Sequence, residues 1–261
     1  MDEPLMVQAR GLRKTFMVGR QPVEAVRNVS LDVPAGGLLA LLGPNGAGKS
    51  TTMRMLTTLL PPTAGSVHVA GIDAVAEPAL ARRQIGYVGQ KHAAGENYRI
   101  RDELITQARL FGLSKAVARE RADEALEMLG IASLGKRAPG TLSGGQRRRV
   151  DIAFGLVHRP RVLFLDEPTT GLDPHSRAGV WEQIERLRRE HDMTVLLTTH
   201  YLDEVERAAG QIVIVDAGEV VAQGSAAELR GRVPGAASLD DVFIALTGRR
   251  LQATGEAYSH A

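Results

Sequence analysis

The chain of 261 residues contains no cysteine. That excludes a disulfide framework, a thiolate metal site and a thiol nucleophile, and it suits a reducing compartment. Aromatic residues make up only 4% of the sequence, and no strongly basic, aromatic-studded extension of the kind that stacks on nucleic acid is evident. No uninterrupted apolar stretch is long enough to span a bilayer. The start, Met1-Asp2-Glu3-Pro4-Leu5, lacks the basic and apolar regions of a signal peptide, so the expectation is a chain neither exported nor membrane-spanning. A strong excess of one charge is missing too, the formal net charge being +2, and this sets the chain apart from nucleic-acid specialists. What is present is 44% hydrophobic and 24% charged residues, enough to bury a sizeable core.

The segment 6–33 alternates apolar residues such as Val7, Leu12, Val26, Val29, Leu31 and Val33, broken at Gly19 and Pro22. This predicts an N-terminal antiparallel sheet. Residues 38–42 are wholly apolar and end at Gly43, after which helical character runs from 49 to 59 until Pro61-Pro62. Short strands are expected at 66–69 and 85–88. A helical insert follows from 100 to 129, with Leu104, Ala108 and Phe111, then Ala122, Leu126 and Leu129, at helical spacing on either side of Gly112. Beyond Gly140, helices at 145–156, 176–190 and 202–208 alternate with strands at 162–165 and 194–197. That alternation predicts a parallel, helix-covered sheet. A hairpin turning at Ala217-Gly218 is expected next, and the end from 248 to 261 reads as frayed.

Gly43-Pro44-Asn45-Gly46-Ala47-Gly48-Lys49-Ser50, followed by Thr51, fits the phosphate-binding loop pattern, with a strand before it and a helix after it. Glycines let the backbone curl so that several N–H groups face one anion, and the helix adds its positive end. Lys49 would bind the β- and γ-phosphates, and Ser50 would ligate Mg2+. The run Val162-Leu163-Phe164-Leu165-Asp166-Glu167 places two carboxylates at the carboxyl end of a buried strand, where open α/β sheets bind ligands. Asp166 would hold Mg2+ beside Ser50, and Glu167 would polarise the attacking water as general base. Leu142-Ser143-Gly144-Gly145-Gln146 supplies a capped helix start with bare N–H groups, a second anion site in the same chain.

With this last segment the sequence resembles the ATP-binding cassette (ABC) ATPases, whose signature motif it is. The resemblance runs from about Val7 to about Arg230, with the motifs in the family's order. It implies an α/β fold: a P-loop NTPase cassette with a mainly parallel core, an N-terminal antiparallel β-subdomain and an inserted α-helical subdomain at about 91–149. The cassette domain would cover 1–235, and 236–261 would form a tail with a short helix. By the same resemblance Phe16 would stack on adenine, Gln90 would lie near magnesium and the transporter interface, and Gly171-Leu172-Asp173 would face a partner cassette. His200 would sit near the γ-phosphate. The lesser alternative for Phe16 is a core aromatic on its strand, and for Gln90 and His200 a surface or satisfied polar residue.

In the family two cassettes associate head to tail. The resemblance therefore implies that Ser143, Gly144, Gly145, Gln146 and Asp173 reach the ATP held by a second ATPase subunit, an identical copy in the simplest case. It also implies a separate membrane-spanning permease subunit, and a place at the cytoplasmic face of the membrane. The segment after the signature departs from the family at Phe154-Gly155, where Arg and Ala are commoner; an effect on packing rather than chemistry is expected. Residues 238–248 resemble the ending of daunorubicin-resistance-type ATPases, a branch that includes drug and antibiotic exporters, and Leu239, Val242, Phe243 and Leu246 fall on one helical face. The alternatives are a soluble ATPase of the same family acting on nucleic acid or ribosomes, which would need features not evident here, and a regulator that binds nucleotide without hydrolysis. No nucleic-acid partner is expected.

Overall fold

A computed structural model describes residues 4–248. Strands β1 (Leu5–Val18) and β2 (Gln21–Pro34) form a long antiparallel hairpin. Strand β3 (Leu38–Leu42) leads through the glycine loop into helix α1 (Lys49–Leu56). Strands β4 (Ala64–Val69) and β5 (Ile72–Asp73) extend the hairpin side, and helix α2 (Pro78–Arg83) precedes β6 (Ile85–Val88). The insert carries α3 (Ile100–Leu110) and α4 (Lys115–Met128), and α5 (Gly144–Leu156) returns to the sheet. Then follow β7 (Val162–Asp166), α6 (Pro174–His191), β8 (Thr194–Thr199), α7 (Leu202–Ala208), β9 (Gln211–Asp216), β10 (Glu219–Gly224), α8 (Ala226–Gly231) and α9 (Leu239–Thr247).

The strands join in the order β5-β4-β1-β2-β10-β9-β3-β8-β7-β6. From β9 through β6 every pairing is parallel, whereas β1, β2, β4 and β5 pair antiparallel, so both halves of the expected sheet are present. The central strands are apolar on both faces because both are covered. Leu38, Ala40, Leu42, Leu163 and Leu165 face a core shared with the insert and the C-terminal helices; Leu39, Leu41, Val162 and Phe164 face a second core against α1 and the N-terminal sheet. Within the insert, Ile100, Leu104 and Ala108 of α3 meet Ala118, Ala122, Ala125 and Leu126 of α4, the i, i+4 stripe that buries one face of each helix.

Some local features differ from expectation. Helix α1 stops at Leu56, ahead of Pro61. Thr58 takes a left-handed φ of 62°, the Thr57 hydroxyl donates to Met53 O at 2.8 Å, and the Leu59 and Leu60 N–H groups both turn back to Arg54 O. Helices α2 and α8 and strand β5 were not expected. The turn between β9 and β10 lies at Ala217 and Gly218, φ 47° and 82°, the paired positive angles that favour a tight hairpin. Helix α9 buries Leu239, Val242 and Phe243 in the main core, but Leu246 remains 39% exposed, so only three of the four expected contacts form. Residues 249–261, expected to be frayed, lie outside the described residues.

Candidate nucleotide-binding and hydrolysis site

The loop after β3 is shaped by close backbone approaches. A Cβ on Gly43 would lie 2.2 Å from Val215 O, and one on Gly48, itself at φ 98°, would lie 2.6 Å from Ala25 O. Only glycine fits at both. Ala47 N–H donates to Pro44 O at 3.2 Å and Gly218 N–H to Ala47 O at 3.1 Å, anchoring the loop to the β9-β10 turn. Lys49 is buried, its Nζ donating to Gly43 O at 2.7 Å and Pro44 O at 3.1 Å. Burial lowers the Lys49 pKa, and the carboxylates of Glu167 and Asp166 oppose that shift. Asn45 and Gly46 are exposed at the loop's crest, and Ser50 and Thr51 lie in the first turn of α1.

Ser50 Oγ donates to Asp166 Oδ1 at 3.3 Å, across 116 positions of sequence. The two groups form an all-oxygen donor pair, and among the described residues no cluster of three or more His, Cys, Asp or Glu side chains could hold a metal by itself. A hydroxyl and a single carboxylate suit Mg2+, which completes its shell with phosphate oxygens and water. Asp166 also accepts from Thr198 Oγ1 at 2.6 Å, and the same hydroxyl accepts from Glu167 N–H at 2.9 Å.

Glu167 stands just past the end of β7 at φ 48°, a left-handed conformation that is strained for an L-residue. Its Oε2 accepts from Thr170 Oγ1 at 3.1 Å, and its Oε1 lies 3.8 Å from His200 Nδ1. At that separation the His200 contact is electrostatic rather than a hydrogen bond. His200 holds the Glu167 carboxyl below its ordinary range against the opposing effect of burial, with help from Lys49 and Thr170. Glu167 is accordingly ionised at neutral pH and able to accept a proton. His200 is 8% exposed, so it is not a surface histidine.

A cavity of about 320 Å3 opens beside this centre, lined by residues that include Gln90, Gly144, Arg148, Glu167, Gly171 and Leu172. Gln90 is exposed on its wall, and hydrogen bonds to α5, among them one between His92 Nδ1 and Asp151 Oδ2 at 2.7 Å, hold the loop that carries it. Arg148 donates to Gly89 O at 2.8 Å, and Ala93 N–H donates to Asp151 Oδ1 at 2.8 Å. Ser143 caps α5 in a reciprocal box, Gln146 N–H donating to Ser143 Oγ at 3.3 Å and Ser143 N–H to Gln146 Oε1 at 3.2 Å. Gly145 is buried against Ser176, where a Cβ would approach to 2.9 Å; Ser143 and Gly144 are exposed. Asp173 caps α6 by accepting from Ser176 N–H at 2.9 Å and is likewise exposed. Phe16, 38% exposed near the tip of the β1-β2 hairpin, has Lys14 Nζ 5.4 Å above its ring, so it is not a core aromatic.

Ser50, Asp166, Glu167 and His200 thus converge, with Gln90 and Gly144 on the adjoining wall. Among the described residues no hydrogen bond or ion pair joins Ser143–Gln146 to the phosphate loop of the same chain. Sequence reasoning missed Thr198 and Arg148. For Thr198 the available signal was the polar pair Thr198-Thr199 closing an apolar strand. The role of Arg148, donating to Pro168 O at 2.9 Å and Asp166 O at 3.2 Å from a buried position, had no local signal.

A strand, an anion-cradling loop and a helix, with paired carboxylates at the end of β7, separated from β3 by β8 alone, define a P-loop nucleotide hydrolase of the α/β class. A family profile described as ABC transporter matches residues 26–170. The chain is 45% identical over 251 residues to the doxorubicin resistance ATP-binding protein DrrA of Mycobacterium tuberculosis, covering 96% of this chain and 73% of that protein. It is 38% identical over 242 residues to the linearmycin resistance ATP-binding protein LnrL of Bacillus subtilis, covering 93% and 75%. It also superposes on the dimeric ATP-binding cassette MJ0796, bound to ADP and Pi in a post-hydrolysis state, with a TM-score of 0.75 and 28% identity over 84% of this chain and 98% of that one. The chain belongs to the ABC transporter family, as an ATP-binding and ATP-hydrolysing cassette.

Proposed function

We propose that this cassette powers a multi-subunit membrane exporter of drugs, antibiotics or other hydrophobic compounds, working from the cytoplasmic face on a separate permease. The convergence of Ser50, Asp166, Glu167 and His200 at the carboxyl ends of parallel strands carries the hydrolytic part. Relatives named for doxorubicin and linearmycin resistance support the export part. None of these names favours the nucleic-acid alternative.

Lys49 exchanges its bonds to the loop carbonyls for the β- and γ-phosphates of ATP, and Phe16 supplies a face for adenine. Ser50 and Asp166, with Gln90 nearby, would hold Mg2+, which neutralises phosphate charge when bound. Glu167 takes a proton from the attacking water, while His200 steadies the carboxylate and faces the γ-phosphate. Ser143, Gly144, Gly145, Gln146 and Asp173 serve the ATP of a second, identical subunit placed head to tail; the exposure of Ser143, Gly144 and Asp173 at their helix starts suits that role. ATP bridges the two copies, and loss of the γ-phosphate releases them. The cleft of about 450 Å3 between the loop 93–98 and α3, with Tyr98 and Leu110 exposed and Phe154 at its edge, suits a coupling segment of the permease.

Replacing Glu167→Gln tests the core of this proposal. ATP binding should persist while turnover falls by about 10² to 10⁴, the worth of a positioned general base. Unchanged turnover would remove Glu167 from that role, and stimulation by DNA or RNA instead of a membrane partner would favour the alternative.

A further inference from the structure

Outside the residues assigned above lies a buried carboxylate with an unusual number of neighbours. Glu204, in the first turn of α7, is 9% exposed. Its Oε2 accepts from Trp181 Nε1 at 2.6 Å and from Thr169 Oγ1 at 3.0 Å. Its Oε1 faces Arg177 Nε at 3.3 Å, but neither atom has a hydrogen-bonding partner, so the pair is electrostatic and poorly aligned. Burial raises the Glu204 pKa against the bonds from Trp181 and Thr169 and the charge of Arg177, with Asp203 adding to the rise.

These partners come from separate segments. Thr169 lies two positions beyond Glu167, and its carbonyl accepts from Leu172 N–H at 3.2 Å in the loop leading to Asp173. Trp181 and Arg177 belong to α6, which Asp173 caps. Arg177 lies 4.0 Å over the Tyr201 ring, and Tyr201 packs on His200 at 4.2 Å between ring centroids. The bend that carries His200 therefore rests on Arg177 and leads directly into the helix that carries Glu204. A buried carboxylate incurs a desolvation cost and is retained only when its partners compensate. An apolar side chain would fill the same space without fixing three loops.

We propose that Glu204 is a positioning residue for hydrolysis, tying the segment behind Glu167, the start of α6 and the His200-Tyr201 bend into one unit that holds His200 against Glu167. The inference rests on the ATPase site described above. It predicts that Glu204 acts through His200, at a step after ATP is bound, because no partner of Glu204 belongs to the phosphate loop.

Full-chain variants measured for ATP affinity by equilibrium titration and for steady-state turnover test this. Glu204→Ala should lower kcat on the order of tenfold, as sub-ångström misplacement of a reacting group does, and leave the Kd for ATP within about twofold. Glu204→Gln, which keeps an acceptor for Trp181 and Thr169, should recover most of the loss. In a His200→Ala background, Glu204→Ala should cost less than about twofold more, since coupled residues are not additive. Should Glu204→Ala fail to fold, Trp181→Phe and Thr169→Val each remove one bond and allow the same comparison with His200→Ala. Losses that multiply, or a kcat unaffected by any of these changes, overturn the proposal. The parent and Glu167→Gln run alongside report on the site itself: an inactive parent overturns the ATPase reading, whereas an active parent with multiplying losses overturns the role of Glu204 alone.

Discussion

His158 shows how burial sets a charge state. Its Nε2–H donates to Ile85 O at 2.9 Å, Nδ1 is buried without a partner, and the ring stacks on Phe111 at 3.8 Å between centroids. Burial lowers its pKa below the ordinary 6.5, outweighing the Ile85 bond. As pH falls through about 6.5 the unfolded chain takes up a proton that the folded chain refuses. The stability gained by burying a neutral ring is therefore full above 6.5 and lost as pH drops toward the lower folded value. The melting temperature should fall between about pH 7.5 and 5.5, and less steeply in His158→Gln; rising stability over that window would contradict the assignment. At this level the sequence was legible where a motif required a residue type, as at Lys49, Ser50, Asp166 and Glu167. It was opaque at His158, Arg148 and Glu204, whose partners are brought from distant segments by the fold and leave no spacing to read.

Helix α5 lies on β6 at a distance set by glycine on both sides. A Cβ on Gly86 would lie 2.3 Å from Gly155 O, and one on Gly155 would lie 3.0 Å from a Val88 methyl. The departure from the family at Phe154-Gly155 is thus a packing matter at Gly155, while Phe154 borders the cleft beside α3. Gly86→Ala should destabilise by about 1–3 kcal/mol through overpacking, seen as a lower denaturation midpoint; unchanged stability would mean that the helix shifts freely. At the C-terminal end, Phe243 is fully buried in the main core. Phe243→Ala should cost about 3–5 kcal/mol. A smaller loss, near that of a surface change, would make α9 an appendage rather than part of the cassette's packing. The long apolar strands and the α3-α4 pair were readable from periodicity. Helices α2 and α8, each spanning Pro78–Arg83 and Ala226–Gly231, are too short for periodicity to register, and α1 ended early through local hydrogen bonds that no proline signalled.

At the scale of the whole molecule, the two helix starts proposed to bind ATP, at Lys49 and at Ser143, do not meet within the described residues. The phosphate loop is anchored to the β9-β10 turn and to Asp166, whereas Ser143 rides on α5 beside α6. In the proposed arrangement, two copies related head to tail would bring the one against the other and give two equivalent sites. Partner and cargo were only partly legible, because on the proposed function the surfaces that select them belong to a separate permease. The direct test mixes two inactive variants, Lys49→Ala and Ser143→Arg. Each alone should lack ATPase activity, since every site in its dimer has lost one half. In an equal mixture half of the dimers are mixed, and each mixed dimer retains one intact site, so activity should return to roughly a quarter of the parent's if the sites act independently. A mixture that stays inactive, or either variant alone matching the parent, would contradict ATP being held between Lys49 of one copy and Ser143 of the other.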